Sequence, residues 1–314
     1  MTTTQRRVVF ANDGKAVAGD LHLPQGFDES RSYAAITLAT PGSSVKEQVG
    51  ANYASRLAER GFVALTFDPA YQGESEGMPR NFESPAARIE DIRCAVDHLT
   101  TLPFVDAQRL GLLGICAGGG YAVQAALSDH RLKALATVVG GNIGAALRRI
   151  LGPEAVLKTI AEVGQQRTAE ARGGAMRNDP WIPDSLAEAK AAGIDDPELL
   201  EAVRFYREST YRHPSSTNRL LFRSFGPLLS FDAFHMVPEL LTQPLQVIVG
   251  GRRGATGQYE DGQKLFDLAG AADKDFLVIE GAGHYDMYHV ASYVDQAIDR
   301  LVPFYRRHLG GSEE

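Results

Sequence analysis

The sequence predicts an α/β fold: a mostly parallel eight-stranded sheet flanked by helices, with a helical lid inserted between two strands. Three observations carry that prediction. Apolar runs of strand length alternate with amphipathic helical stretches, the rhythm of right-handed crossovers between parallel strands. One run, residues 110–115, breaks into Gly114-Ile115-Cys116-Ala117-Gly118, small residues where a strand turns sharply into a helix. Between about residues 142 and 230 the alternation stops, and charged helical segments take its place.

Taken in order, residues 6–10 and 17–23 read as a hairpin turning at Asn12-Asp13-Gly14. Residues 33–40 (YAAITLAT) form a continuous apolar strand of the kind buried on both faces, running into Pro41-Gly42-Ser43-Ser44. A helix over residues 51–60, with Tyr53, Leu57 and Ala58 on one face, leads to a strand over 62–67. A polar loop over 68–76 precedes a helix over 86–99 whose inward stripe is Ile89, Ile92, Val96 and Leu99. Cys94 lies in that helix and receives no role. The run at 110–115 and its helix are followed by a strand over 132–139. After the insertion, strands at 244–250 and 275–280 flank a helix at 259–269, and an amphipathic helix over 290–308 closes the pattern. Residues 1–141 and 231–314 are thereby assigned to the core, and 142–230 to the lid.

A hydrophobic share of 44% is that of a globular protein with a large core. The net charge of -7 argues against nucleic acid or an anionic membrane as partner. Two cysteines, Cys94 and Cys116, make no disulfide framework and fit a reducing cytoplasm. Residues 1–14 lack the apolar centre of a signal peptide, and no run is long enough to span a bilayer. No metal-ligand spacing and no phosphate-binding glycine loop occurs, so neither a metal nor another cofactor is expected. A homodimer is the default assembly.

In an open α/β sheet, ligands gather at the carboxyl ends of the strands. Three such ends are marked here. Cys116 sits at the strand-to-helix turn, where a nucleophile is exposed and the helix N-terminus favours its anion. Gly281-Ala282-Gly283-His284 follows the last strand and offers a general base, whose imidazole also favours a thiolate. Backbone N–H groups of Ser43, after the strand at 33–40, and of Ala117 are placed for an oxyanion hole, with Ser44 next to the first. The constellation points to a small-molecule ester, lactone or thioester cleaved through an acyl-cysteine, His284 activating the acceptor. Water as acceptor makes a hydrolase; an alcohol, amine or carbon nucleophile makes a transferase or cyclase. A lyase using only His284 for proton transfer, and a ligand-binding pseudoenzyme, are the alternatives. Glu47 is read either as a neighbour of the site or as a surface helix charge. Tyr71, Tyr285 and Tyr288 either line the pocket or pack, and Arg252 and Arg253 either bind an acidic acyl or phosphopantetheine group or face solvent.

The segments LGICAGGGYA, VKEQVGANYASRLAERGFVALTFDPAYQGESEG and GAGHYDMY together resemble the dienelactone-hydrolase-like α/β-hydrolases. Within these they are similar to a branch of fungal polyketide thiohydrolases and transferases and bacterial homologues. The resemblance implies the α/β-hydrolase fold, Cys116 as nucleophile, His284 as base, Ser43 and Ala117 around the oxyanion, and a place in polyketide or secondary metabolism. One departure stands out. That family usually carries an aspartate after the strand at 244–250 to orient the histidine, whereas residues 251–257 here contain no carboxylate and Gly254 takes the expected position. Asp232, Glu260, Asp261 and Asp286 are the candidates for that carboxylate. A Cys–His pair also works without one, since a thiolate needs less activation than a hydroxyl.

Overall fold

The computed structural model describes residues 4–310; residues 1–3, where the segment read for a leader begins, lie outside the described residues. The chain opens with the hairpin β1 (Thr4–Asn12) and β2 (Lys15–Leu23), antiparallel with Asn12 opposite Lys15. Then come β3 (Tyr33–Ala39), α1 (Val49–Glu59), β4 (Val63–Phe67), α2 (Pro85–Thr101), β5 (Val105–Ile115), α3 (Ala117–Ala126) and β6 (Leu132–Val138). After a long connection the core resumes with β9 (Leu245–Gly250), α9 (Gln258–Leu268), β10 (Lys274–Ile279), α10 (Asp286–His289) and α11 (Ala291–Leu309). The strands form one eight-stranded sheet in the order β1-β2-β4-β3-β5-β6-β9-β10. Only the hairpin and its join to β4 are antiparallel.

Every residue of β3, β4 and β9 is buried, because helices cover both faces and water reaches neither. Tyr53 and Leu57 of α1 pack with Ile298 and Leu301 of α11 on one face. Ile92 and Val96 of α2, Tyr121 of α3 and Leu265 of α9 build the other. Each buried side chain of this kind adds about 1.5–3 kcal/mol relative to exposure. The start of α2 is set locally: Ser84 accepts from the Ala87 N–H at 3.4 Å, and Pro85 fills the first turn where no donor is needed.

The connection between the adjacent strands β6 and β9 holds α4 (Ile143–Ala171), β7 (Asn178–Pro180), α5 (Leu186–Ala191), α6 (Pro197–Val203), β8 (Arg219–Leu221), α7 (Phe225–Ser230) and α8 (Val237–Leu240). No strand was expected between residues 142 and 230, yet β7 and β8 pair there as a two-stranded ribbon. Three residues each, one of them Asn-Asp-Pro, leave no apolar run to read. α4 bends at Gly152, whose φ of 75° precedes Pro153.

The sharp elbow where β5 turns into α3 at Cys116 depends on small residues in a crowded crossing. A Cβ on Gly118 would overlap the carbonyl oxygen of Ala39 in β3, and one on Gly114 would lie 2.6 Å from the Gly119 Cα. Strand and helix therefore pass more closely than any side chain permits. Two glycine substitutions should have opposite signs in equilibrium unfolding. Gly118→Ala meets rigid backbone and should lose about 1–3 kcal/mol or more. Gly164→Ala, in open space on α4, should gain about 0.5–1 kcal/mol by restricting the unfolded chain.

Candidate active site

Cys116 occupies the turn between β5 and α3 with φ 55° and ψ −127°, a conformation that L-residues avoid. Such a residue stores about 1–3 kcal/mol, held here by the surrounding crossing. Its carbonyl accepts from the N–H of Gly119 at 2.8 Å and of Gly141 at 2.9 Å, and its own N–H donates to Val138 at 3.2 Å. The half-buried thiol faces two opposing influences. Burial raises its pKa, but the charge of His284 and hydrogen bonds from His284, Tyr288 and the Ala117 N–H outweigh burial, so the group sits below the ordinary thiol value.

His284 follows β10 on a glycine-rich turn and is 2% exposed. Its Nε2 lies 2.9 Å from the hydroxyl of Tyr288, four residues on in α10, and its Nδ1 lies 3.1 Å from the Thr256 hydroxyl. Behind Thr256 stands Glu198, on α6 of the long connection. The Thr256 hydroxyl donates to Glu198 Oε1 at 2.8 Å and the Thr256 N–H to Oε2 at 2.7 Å. Glu198 Oε1 is 3.9 Å from His284 Nδ1. Burial holds the Glu198 carboxyl above its ordinary value, the two donations from Thr256 offsetting only part of that.

The turn after β3 is tied from several sides. Ser43 has a left-handed φ of 61°, and its carbonyl accepts from Ser216 Oγ of the connection at 2.9 Å. The Ser44 N–H folds back to the Pro41 carbonyl at 3.3 Å, and Ser44 is fully buried. Buried Arg88 donates to the carbonyls of Thr40 and Pro41. Lys46, also fully buried, is enclosed by Asp68, Glu47 and Glu74.

A cavity of about 150 Å³ opens over Cys116 between these elements. Gly42, Ser43 and Ala117 form its floor; Trp181, Ile182 and Tyr206 of the connection cover it. Apart from the Cys116 thiol, none of its lining residues carries a charge. Tyr206 belongs to a single π-helical turn, Arg204–Glu208, a distortion frequent at functional sites. Its hydroxyl lies near those of Ser44 and Tyr288 but makes no hydrogen bond of good geometry. Burial, then the neighbouring thiolate, raises the pKa of Tyr206, Tyr285 and Tyr288, so all three are kept as phenols.

The structure therefore gathers Cys116, Ser43 and Ala117 around one cavity, with His284 directly behind, bonded to Tyr288 and Thr256. Of the adjacent serines only Ser43 lines the cavity. Tyr285 and Tyr288 line it as well, whereas Tyr71 packs on Phe82 with ring centroids 5.5 Å apart. The four carboxylates singled out in the sequence are all engaged elsewhere. Asp232 accepts from Asn142 at 2.7 Å, Glu260 pairs with Arg253 at 3.0 Å, Asp261 with Arg149 at 2.9 Å and Asp286 with Arg252 at 2.8 Å. The carboxylate beside His284 is Glu198, 86 positions earlier in the chain, together with Thr256 a residue the sequence reading missed. Glu47 pairs with Lys46, and Arg252 and Arg253 are neutralised by their acidic partners rather than aimed at the cavity. Among the described residues no helix is long and apolar enough to cross a membrane, and no group of three His, Cys, Asp or Glu is arranged to hold a metal ion.

Residues 34–288 match the family profile for serine aminopeptidases, S33. The uncharacterized protein YcjY of Escherichia coli K12 is 38% identical over 307 residues, 96% of this chain and 99% of that one. The crystal structure of the hypothetical protein PA2218 from Pseudomonas aeruginosa superimposes with a TM-score of 0.85 at 31% identity, covering 98% of this chain and 94% of that one. A polyketide transferase, claH of Penicillium crustosum, is 24% identical over 306 residues, 95% of each chain. Other fungal relatives carry the name thiohydrolase. The family is named for serine, and the elbow here carries cysteine. The profile spans most of the chain, and the sequence and structural matches run nearly its full length: the chain belongs to the serine aminopeptidase S33 family of α/β-hydrolase-fold enzymes.

Proposed function

We propose that this enzyme transfers the acyl group of a neutral ester, lactone or thioester through a covalent acyl-cysteine on Cys116, with His284 moving the protons. The observation that carries the proposal is the thiol itself: strained at the elbow, in contact with imidazole and phenol, and more acidic than an ordinary cysteine despite burial. The Cys116 thiolate attacks the carbonyl carbon, forming a C–S bond and placing the negative oxygen against the N–H groups of Ser43 and Ala117. Collapse breaks the bond to the leaving group, which takes its proton from His284. The acceptor then gives a proton to His284 and displaces the sulphur. The unpartnered Tyr206 hydroxyl faces the same space and donates to the leaving or entering oxygen.

Cavity chemistry supports a neutral, compact acyl group. A space of about 150 Å³ with no charged lining besides the Cys116 thiol suits a group about the size of a benzene ring. An acyl chain ending in carboxylate would be desolvated there without a partner. We read residues 142–230 as a lid over this space, and the dienelactone-hydrolase-like likeness as part of the same proposal. Water is the default acceptor. Acyl transfer to another nucleophile is the second reading, favoured by the apolar cover of Trp181 and Ile182 and by the relative named polyketide transferase. The two free cysteines support a reducing, cytoplasmic setting.

Intact-mass analysis after exposure to N-acetylcysteamine thioesters and p-nitrophenyl esters tests the covalent step. A mass increment equal to the acyl group is expected on the wild type, absent from Cys116→Ala and longer-lived in His284→Ala. No increment on any substrate, with Cys116→Ala fully active, would move the chemistry to non-covalent proton transfer. Substrate charge is checked by comparing butyryl with succinyl thioesters, nearly equal in length. The neutral acyl group should be favoured in kcat/KM by about 100-fold or more, because the buried carboxylate goes unpaired.

A further inference from the structure

The loop after β9 lacks a carboxylate, yet the place where one would act is not empty. A Cβ built on Gly254 would lie 2.5 Å from both Cδ and Oε2 of Glu198, so the Glu198 head group fills the space that a side chain on residue 254 would take. It arrives from the opposite direction, on α6 of the connection between β6 and β9. α6 is anchored by Asp196, which accepts from the Leu199 N–H at 2.8 Å, and Glu198 is 7% exposed. A buried carboxylate needs donors, and both of its oxygens have one on the same residue, Thr256.

We infer that Glu198 is the carboxylate that positions His284, acting through the Thr256 hydroxyl. The inference rests on the reading of His284 as the base paired with Cys116. Its logic is one of donors and acceptors. An ionised Glu198 only accepts, so the Thr256 hydroxyl hydrogen points to Oε1. The Thr256 oxygen then has only lone pairs to offer His284 Nδ1, 3.1 Å away, and that nitrogen must carry its hydrogen. The Nε2 lone pair is thereby turned toward Tyr288 and the Cys116 sulphur. When the imidazole becomes cationic, the carboxylate 3.9 Å behind it stabilises the charge. Asp196 and Arg252 act on Glu198 from its own side with opposite signs, while Cys116, Tyr285 and Tyr288 face His284 from the other. The covering segment thus supplies a positioning residue as well as a roof.

The test follows the alkylation of Cys116 by iodoacetamide as a function of pH, read by peptide mass spectrometry. It needs no substrate, so its failure and the failure of the acyl-transfer reading are separable. Cys94, whose thiol burial and Glu90 push up to about 11, is the internal control for an intact fold. Three variants attack the relay at different points. Glu198→Gln removes the charge, Thr256→Val removes the bridge, and Gly254→Ala displaces the flexible Glu198 carboxylate without changing the identity of any site residue. In all three the pH midpoint of Cys116 alkylation should rise by about one unit, with the rate near pH 6 falling about 10-fold, because each unit is a tenfold change in thiolate population. Rates at high pH, where the thiolate forms unaided, should converge on the wild type. Wild-type midpoints in Glu198→Gln and Gly254→Ala, with Cys94 unchanged, would overturn the assignment.

Discussion

Everything in this molecule that could do chemistry hangs on one steric constraint, the close crossing of β5 and α3 beneath the end of β3. The crossing holds Cys116 at a backbone angle it would not choose, and the cost, about 1–3 kcal/mol, is met by packing on all sides. Glycines at 114 and 118 are therefore statements about distance rather than flexibility. Because the turn is forced, the sulphur is lifted clear of the sheet and faces the strand ends. Other elements then converge on a point already defined.

Around that point the enzyme spends buried charge on rigidity. Asp68 accepts from the Lys46 N–H and the Glu74 N–H, both at 2.8 Å, and from Lys46 Nζ at 3.1 Å. Burying such groups is expensive, and removing one partner is costlier still, so a network of this kind is better understood as fixing geometry than as adding stability. Its geometric effect is plain: the turn from Pro41 to Gln48 is held from below by Asp68, from behind by Arg88 and from above by Ser216. A donor that must meet a charge only as it develops has to be in place beforehand.

How much of this was legible in the sequence follows from the range of each interaction. Strands and helices of the core were readable to within a few residues, because period, apolar runs and turn residues are local signals. Cys116, Ser43, Ala117 and His284 could be singled out for the same reason, each lying at a strand end marked by glycine or proline. Glu198 could not. It sits in PELLEAVRF, a charged helix like many others, and its partners Thr256 and His284 are brought to it only by the folded connection. The one usable signal was negative: a glycine at 254 leaves a hole, and a hole beside a histidine invites a side chain from elsewhere. Tyr288 was visible as one of three tyrosines that either line the pocket or pack, but the unpartnered hydroxyl of Tyr206, in a π-turn, had no sequence trace.

The exchange between Gly254 and Glu198 also bears on how the parts of this chain can be recombined. Core and connection share a single carboxylate, so they form a matched pair rather than a scaffold with an interchangeable cap. A chimera carrying a foreign connection without an acid at this place would leave the imidazole with nothing behind its bridging hydroxyl. One that placed an aspartate at 254 while keeping Glu198 would crowd two carboxylates into one buried volume, and the pair would hold a proton that neither holds alone. Swaps of the covering segment among relatives are thus constrained by a residue that has no side chain at all.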